Sequence, residues 1–392
     1  MRFLHTADWH VGKTLKGHSR LPEQQAVLGE IVRLAAEHEV DAVLVAGDLY
    51  ETASPTAEAQ QLVVRTLLAL RGSGAQVVAI AGNHDHAPTL DAYRPLADAA
   101  GITLVGRVRR PSEGGVVAFT APSDGTPVRV AALPFLSQRY AVRAAELLAN
   151  TPAESSAGYD RWVRGIVAAL CAPLGPDSVN VLLAHLTVTG ASADGGGERP
   201  AQSIFEYHVP AAAFPADLHY VALGHLHRRQ SVPAPCPVHY SGSPLRVDFG
   251  EVDSAPVVLL VEASPGSPAR VTDLPVTSAR TLRTLHGTLA ELAAAAVGPD
   301  DLLRVVVREP ARAGLREEVR ELLPGALEVR IDPALAQRPA AGERARTDRA
   351  PAELLRDYLR TRDIADPRVE ALFARLHEQV TTGDAALAGG SS

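Results

Sequence analysis

Lysine is almost missing from this chain of 392 residues, since only Lys13 and Lys16 are lysines among 38 basic side chains. The formal net charge is −7 at pH 7. This charge argues against a protein that coats nucleic acid by electrostatics alone, because such binding depends on many contacts from Lys and Arg to phosphates. It does not exclude a nuclease, since bound metal ions supply local positive charge and only the substrate groove needs basic residues.

Long apolar runs and paired cysteines are also missing. No stretch approaches about 18 uninterrupted apolar residues, and the N-terminus lacks the apolar core of a signal peptide, so we expect neither a membrane span nor secretion. Cys171 and Cys236 lack CxxC spacing and fit ordinary thiols in a reducing compartment. We therefore expect a cytoplasmic protein, with a length that allows two or three domains.

Seven side chains that can bind metal occur in five short motifs. They are Asp8 and His10 in ADWH, Asp48 in AGDLY, Asn83 in AGNHD, His185 in LAHL, and His225 and His227 in GHLH. Each of the last four motifs closes a run dense in apolar residues, which predicts strands at Asp41–Ala46, Gln76–Ala81, Val179–Ala184 and Tyr220–Leu223. Ligands gather at the carboxyl ends of strands in layered α/β folds. We therefore expect all seven side chains at one edge of the predicted sheet.

The chemistry of these ligands narrows the choice of metal. Taken alone, a His is more often a core residue and a Gly-Asp pair more often a turn, but the joint pattern indicates a site. Carboxylate, amide and imidazole without thiolate suit Mn²⁺, Fe²⁺, Zn²⁺ or Mg²⁺. Seven ligands are too many for one tetrahedral ion, whereas two ions that share a carboxylate, about 3.5–4 Å apart, fit a two-metal hydrolase.

His84 follows the candidate ligand Asn83 and is not needed for coordination. We therefore expect His84 to be the general acid that protonates the leaving oxygen. The alternative is that His84 only supports the ligands or the loop.

The order of motifs DxH, GD, GNHD, H, GHxH resembles the calcineurin-like metallophosphoesterases. The longer strings Phe3–Lys13, Tyr220–Gln230 and His239–Glu251 resemble the bacterial SbcD nuclease subunits, which are relatives of the nuclease in the archaeal and eukaryotic double-strand-break repair complex. This resemblance covers most of residues 1–255. It implies an α/β fold in which a two-sheet sandwich is flanked by helices, with a small α/β capping domain and C-terminal helices.

The resemblance also implies how the ligands divide between two ions, which we expect to be Mn²⁺. One ion would be held by Asp8, His10, Asp48 and His227, and the other by Asp48, Asn83, His185 and His225, so that Asp48 bridges them. One position departs from the archaeal pattern, because Glu51 stands where those relatives often carry a His that contacts the DNA phosphate.

Basic residues near the motifs are candidate contacts to DNA phosphates. They are Lys13, Lys16 and His18 after the first motif, and Arg228 and Arg229 after the last. For each of them, a solvated surface position is the alternative.

The breaks in the sequence predict five segments. A nuclease domain spans 1–265, with helices at Glu23–Glu39 and Thr56–Arg71, and Ser264–Pro268 reads as a linker. A small α/β unit follows at 269–332, with strands Leu302–Val307 and Ala326–Ile331 around a helix at Ala313–Leu323, and the resemblance implies that this unit is the capping domain. Residues 333–350 have the composition of a disordered linker, and 381–392 form a disordered tail. Residues 351–380 hold two short amphipathic helices, which either dock on a partner or fold back on the body.

The predicted function is a Mn²⁺-dependent DNA nuclease subunit, exonucleolytic on double strands and endonucleolytic on single strands or hairpins. Its partners would be DNA, a second copy of the chain and the ATPase subunit SbcC, which in SbcD relatives binds the C-terminal helices and would complete a heterotetramer at the nucleoid. A nucleotide phosphodiesterase that acts alone is one alternative, but it does not explain the segments after residue 265. A scaffold that regulates an ATPase without cutting DNA is another, but it has no need of all seven ligands.

Overall fold

The structure is a computed structural model, and it describes residues 1–136, 152–192 and 208–335, with the pairs 355–356, 359–360, 368–369 and 372–373. Two compact units divide the chain: Met1–Val307 with Arg316–Arg330, and Arg308–Leu315 with Ile331–Ser392. Helices lie at Leu21–Glu37 (α1), Ala57–Gly72 (α2), Ala87–Ala99 (α3), Pro152–Cys171 (α4), Leu289–Ala293 (α5) and Leu315–Leu322 (α6). No helix in the described ranges is long and apolar enough to cross a membrane.

The strands are numbered β1 to β19 along the chain. They are Arg2–Thr6 (β1), Thr14–Leu15 (β2), His18–Ser19 (β3), Ala42–Val45 (β4), Gln76–Ile80 (β5), Ile102–Val105 (β6), Val116–Thr120 (β7), Pro127–Leu133 (β8), Val179–His185 (β9), Thr187–Val188 (β10), His208–Val209 (β11), Tyr220–Gly224 (β12), Gln230–Val232 (β13), Val238–Tyr240 (β14), Val257–Ser264 (β15), Ser267–Pro275 (β16), Leu282–Gly287 (β17), Leu302–Val307 (β18) and Ala326–Ile331 (β19).

Two six-stranded sheets carry the first unit. The first has the order β16-β15-β1-β4-β5-β6, and the second β13-β14-β12-β9-β8-β7. In the first sheet β1, β4, β5 and β6 are parallel, and in the second β14, β12, β9 and β8 are parallel. The remaining strands pair antiparallel at the edges. Parallel strands point their carboxyl ends to the same side, so each sheet gathers its loops at one edge.

The two sheets pack face to face, with helices on their outer faces. On β4, Ala42 and Leu44 point into the core between the sheets, whereas Val43 and Val45 pack with α1 and α2. On β9, Leu183 faces the same central core, while Leu182 belongs to the outer core that includes α4. This alternation follows from the period of two in a strand. The predicted two-sheet α/β sandwich flanked by helices is confirmed.

Local signals explain where the first two helices begin. Pro22 stands in the first turn of α1, where a missing N–H costs nothing. The Thr56 hydroxyl accepts a hydrogen bond from the Ala59 N–H (3.3 Å) and caps α2. Both helices lie within two residues of their predicted bounds.

A three-stranded sheet in the order β17-β18-β19 follows the sandwich. Its strands β18 and β19 have the bounds predicted from the sequence, and α6 begins two residues later than predicted. The sheet packs on the sandwich through a small core that joins Leu15, Phe249, Leu282 and Leu302.

The predicted linker at Ser264–Pro268 is wrong. These residues form the turn of a hairpin between β15 and β16, with Gly266 at φ 78° and the two hydroxyls of Ser264 and Ser267 2.8 Å apart. Strand β16 extends the first sheet to Pro275, so that sheet continues past the predicted boundary at residue 265. Ser, Gly and Pro are common to hairpin turns and to linkers, so composition alone does not separate the two.

The predicted linker at 333–350, the two helices in 351–380 and the tail at 381–392 fall almost entirely outside the described residues. They stay predictions.

Candidate metal centre

The seven candidate ligands lie just beyond or at the ends of β1, β4, β5, β9 and β12. The expectation of one sheet edge is wrong in detail, because β1, β4 and β5 belong to the first sheet while β9 and β12 belong to the second. The loops of both sheets meet, as shown by the hydrogen bond of 2.7 Å between His185 Nδ1 and the Ala46 carbonyl. Three overlapping groups each place their possible ligand atoms within 4.8 Å of one another: Asp8, His10 and His227; His10, Asp48 and His84; Asp8, Asp48 and His185.

Asp48 lies at the centre of this cluster and is fully buried. Its Oδ1 accepts the backbone N–H of His84 at 2.8 Å. Its Oδ2 is buried and has no hydrogen-bond partner among the described residues, although His185 Nε2 lies 3.5 Å away and His10 Nε2 3.6 Å away. A buried carboxylate oxygen without a partner is costly, and a cation between it and the two imidazoles would remove that cost.

His10 and His227 face each other, with their Nε2 atoms 3.0 Å apart. His10 Nδ1 lies 3.0 Å from Glu51 Oε2, and His227 Nδ1 lies 2.8 Å from Glu251 Oε1. Since an ionised carboxylate only accepts hydrogen bonds, each Nδ1 carries the ring proton in the neutral imidazole. Both Nε2 atoms then turn their lone pairs toward each other, an arrangement that suits two ligands of a cation.

Asn83 joins the two histidines of the second sheet. Its Oδ1 lies 2.9 Å from His185 Nε2 and 2.9 Å from His225 Nδ1. The proton of His185 is on Nδ1, which donates to the Ala46 carbonyl, so the Nε2 lone pair also points into the cluster. The Asn83 oxygen and the Nε2 lone pair of His185 therefore face each other with no proton between them, and the donor set fits divalent ions that bind oxygen and imidazole.

His84 lies next to Asp48 and is half-buried. Its Nδ1 is 2.8 Å from the backbone carbonyl of Glu51, which requires the proton to be on Nδ1. The His84 and His10 rings meet edge to face, with centroids 4.7 Å apart. The role of His84 as a general acid stays a prediction, with a role as a metal ligand as the alternative.

The carboxylates of the cluster have shifted pKa values. Burial raises the pKa of Asp8, and the nearby histidines His227 and His185 offset only part of this effect. Burial also acts to raise the pKa of Asp48, but attraction to His185 and His10 outweighs it and holds that pKa below its usual value. Burial also acts to raise the pKa of Glu51, but the contacts with His10 and Lys13 outweigh it and lower that pKa to about 2.

Asp85 is a structural residue of the centre that we did not predict. Its carboxylate accepts the backbone N–H groups of Gly82 (2.9 Å), Tyr50 (3.0 Å) and Leu49 (3.2 Å). It therefore ties the loop after β4 to the loop after β5. Burial, followed by the charge of Asp48, raises the pKa of Asp85 to about 6.

Glu251 is the second residue that we did not predict. One oxygen contacts His227, and the other accepts the Val247 N–H at 2.8 Å. Both Asp85 and Glu251 stand in motifs recognised from the sequence, yet neither has a spacing that marks it as a supporting residue.

The predicted DNA contacts differ in how their charges are engaged. Lys13 Nζ lies 2.7 Å from Glu51, and Lys16 Nζ lies 3.3 Å from Glu328 on β19. The Arg229 guanidinium pairs with Asp273 at 2.9 Å. His18 and Arg228 are exposed. The structure brings Lys13 to the centre itself, and the role of all five in DNA binding stays a prediction.

Comparison with known proteins gives a consistent family. The model of the calcineurin-like phosphoesterases matches residues 1–229. The SbcD component of the nuclease SbcCD from Bacillus subtilis (strain 168) is 38% identical over 286 residues, 72% of this chain and 71% of that protein. The SbcD component from Escherichia coli (strain K12) is 33% identical over 305 residues, which cover 75% and 73%. The SbcD component from Rhodobacter capsulatus is 33% identical over 294 residues, which cover 70% and 69%.

Proposed function

Because the chain belongs to the calcineurin-like phosphoesterases and, within them, to the SbcD family of nuclease subunits, we propose that it cuts DNA phosphodiester bonds with two Mn²⁺ ions. The observation that carries this proposal is the convergence of acceptor atoms around Asp48. The buried Asp48 Oδ2 has no hydrogen-bond partner in the described part of the chain, and it faces His10 on one side and His185 on the other.

The proposed ligand sets divide around Asp48. Asp8, His10 and His227, which group together, would hold one ion with Asp48, and Asn83, His185 and His225 would hold the other with Asp48. Two such ions, when bound, polarise the phosphate, lower the pKa of an attacking water and neutralise charge in the transition state. Because the candidate ligands include no thiolate, the harder divalent ions are favoured. We propose Mn²⁺ among them.

His84 is the proposed general acid. The bond from its Nδ1 to the Glu51 carbonyl fixes the ring, so Nε2 is the atom that would deliver the proton to the leaving oxygen. The half-buried position lets a phosphodiester approach while the ring stays oriented. Such a positioned acid contributes about 10²–10⁴-fold to a rate.

DNA would reach the centre along the loops after β1 and β12. Arg228 is exposed there, as is His18 on the β2–β3 hairpin. We propose that these two residues contact the DNA backbone together with Lys13, Lys16 and Arg229, whose ion pairs lie at partly exposed positions. When a DNA phosphate replaces the protein carboxylate in such an ion pair, the affinity for DNA depends on the salt concentration.

A second copy of the chain is the proposed partner at α2 and α3. Val64 and Leu68 on α2 are each 47% exposed, and Tyr93 and Leu96 on α3 are 39% and 73% exposed. Tyr93 reaches Gln60 on α2 (3.2 Å), so the two exposed helix faces adjoin. Adjoining exposed apolar side chains mark interaction surfaces. Sedimentation velocity should show a dimer that Leu96→Glu disrupts, and an unchanged dimer would exclude this surface.

The SbcC ATPase is the proposed second partner, bound through residues 351–380. Two amphipathic segments after a long polar linker suit docking on another protein. With two copies of each protein, the assembly would be a heterotetramer that acts on DNA in the cytoplasm.

Cleavage of defined substrates tests the function. End-labelled duplex DNA, single-stranded DNA and a hairpin would be incubated with the chain and Mn²⁺, beside a cyclic nucleotide and bis(p-nitrophenyl) phosphate. We expect duplex ends, single strands and hairpins to be cut, and Asp48→Asn to abolish cutting. Hydrolysis of the small diesters without cleavage of any DNA would favour the stand-alone phosphodiesterase, and no hydrolysis at all would favour the scaffold.

A further inference from the structure

Glu51 touches three functional side chains with three different atoms. Its Oε2 lies 3.0 Å from His10 Nδ1, its Oε1 lies 2.7 Å from Lys13 Nζ, and its backbone carbonyl lies 2.8 Å from His84 Nδ1. We propose that Glu51 is the positioning residue of His10, whose proton it holds on Nδ1 so that Nε2 is free to bind metal. This inference rests on the proposed function, since it deepens the account of the same centre.

The hydrogen bond to Glu51 decides which nitrogen of His10 carries the proton. The His10 side chain is 1% exposed, so no solvent contact competes for Nδ1. A carboxylate accepts and never donates when ionised, which leaves the lone pair on Nε2. That Nε2 faces both His227 Nε2 (3.0 Å) and Asp48 Oδ2 (3.6 Å). Carboxylate partners of this kind commonly orient the imidazoles that bind metal ions.

The backbone holds Glu51 where this contact forms. The Glu51 N–H donates to the Val11 carbonyl (3.1 Å), and the Val11 N–H donates to the Leu49 carbonyl (3.1 Å). These bonds join the loop after β1, which carries His10, to the loop after β4, which carries Asp48. The Glu51 side chain is 21% exposed, and Lys13 fixes its second oxygen, so both carboxylate oxygens are held.

Glu251 supports His227 in a parallel way. Its Oε1 lies 2.8 Å from His227 Nδ1, and its Oε2 accepts a backbone N–H from Val247. Two facing histidines are thus each oriented by a glutamate on the outer side of the ring. The pairs differ in that a lysine, not a backbone amide, holds the second oxygen of Glu51. Lys13 is therefore placed to restrain Glu51 in the absence of DNA.

The side chain and backbone of Glu51 have separable roles. Replacement by Ala removes both contacts of the carboxylate but keeps the carbonyl that accepts from His84 Nδ1. Glu51→Ala should therefore weaken the metal ion that His10 holds and leave the orientation of His84 intact. A general disturbance of the loop would affect both metal ions and both histidines.

Two measurements on the full chain test the proposal. Calorimetric titration with Mn²⁺ should show affinity at one of the two metal positions falling about 10–100-fold in Glu51→Ala, the usual effect of losing such a partner. The other position should keep its affinity. Nitrogen-15 spectra of the histidine rings in the metal-free protein, with His10 assigned through His10→Gln, should show His10 protonated on Nδ1 in the wild type and on Nε2 in a measurable fraction of Glu51→Ala.

Three matched variants sharpen the result. The amide oxygen of Glu51→Gln is able to accept from His10. Combined with Lys13→Met, which removes the ammonium group beside the new amide, it should restore part of the Mn²⁺ affinity that Glu51→Ala loses. Lys13→Met alone removes the second contact of the carboxylate but retains the Glu51–His10 contact, so Mn²⁺ affinity should change less than in Glu51→Ala. Glu37→Ala removes a glutamate from an exposed ion pair with Arg33 on α1 and controls for loss of surface charge.

Two outcomes would overturn the proposal. One is wild-type Mn²⁺ affinity together with an unchanged His10 tautomer in Glu51→Ala. The other is a rise in Mn²⁺ affinity in Lys13→Met as large as the fall in Glu51→Ala. The net charge beside His10, and not the hydrogen bond from His10 to Glu51, would then explain the change in affinity. Both measurements are made without DNA. If the expected metal and tautomer changes appear but no DNA is cut, the proposed function fails while this inference stands.

Discussion

Replacement of Asp48 by Asn should stabilise the metal-free protein and destabilise the metal-bound one. The buried Oδ2 has no hydrogen-bond partner in the described ranges and lies 3.5–3.6 Å from the Nε2 atoms of His185 and His10. An amide nitrogen in its place can donate to those lone pairs, while Asn Oδ1 still accepts the His84 N–H. An unsatisfied buried polar group costs about 1–3 kcal/mol. We expect the variant to gain a free energy of unfolding of this size in EDTA at pH 8.

Attraction to His185 and His10 works against this gain, because it holds the pKa of Asp48 below its usual value and so favours the carboxylate. We therefore expect a gain toward the lower end of that range.

With Mn²⁺ the order should reverse. An ion at about 100 times its Kd stabilises the folded state by about 2.7 kcal/mol for each site, or about 5 kcal/mol for two sites. The variant loses the shared carboxylate and most of that gain. Melting in EDTA and in Mn²⁺ measures both effects, with Asp98→Asn, on the exposed face of α3, as the control. A variant that melts below the wild type in EDTA at pH 8, or that keeps two metals and near-normal cleavage, would refute the reasoning.

Three further predictions address the acid, the core and the partner. His84→Ser should keep Mn²⁺ and DNA binding but lose cleavage by about 10²-fold or more, and a loss of metal would make His84 a ligand or support instead. Burial lowers the pKa of His5 from 6.5 to about 3. Because the unfolded chain then binds the extra proton, His5 should lower stability by about 1.4 kcal/mol for each pH unit as the pH falls from 6.5 toward 3. Chemical denaturation should show a shallower fall in His5→Gln, and an equal slope would contradict this. A chain ending at Ala350 should cut short DNA with Mn²⁺ but fail to bind SbcC in size-exclusion chromatography, whereas retained binding would exclude the docking role of residues 351–380.

The sequence was sufficient wherever a local pattern determines the structure. Strands β18 and β19 have their predicted bounds because apolar runs between turn residues define a strand without help from distant parts of the chain. Four of the five motifs that hold the candidate ligands were recognised because each closes such a run. The hairpin at Ser264–Ser267 was missed because it depends on the pairing of β16 with β15, which the composition of the turn does not reveal.

The supporting contacts of the centre were not predictable from the sequence. Glu251 meets His227 across 24 positions, and Asp85 meets Tyr50 across 35. Neither pair has a fixed spacing, because each depends on how separate loops meet in space. The same holds for Lys13, whose charge was visible in the sequence but whose pairing with Glu51 was not.

Backbone conformation is tightly constrained at the candidate ligands of the centre. Four of the six non-glycine residues with positive φ in the described part of the chain are candidate ligands: Asp8 (54°), His10 (45°), Asp48 (52°) and His225 (101°). Such conformations cost free energy and persist where surrounding contacts enforce them. The N–H of Asp8 donates to the Gly47 carbonyl, the N–H of His10 to the Asp48 carbonyl, and the N–H of His225 to the Asp8 carboxylate. Each of these bonds links two ligand-bearing loops, so fixing one ligand restrains the next. Strain, an unpaired carboxylate oxygen and facing lone pairs are all unfavourable, and the proposed pair of cations would offset the last two at once.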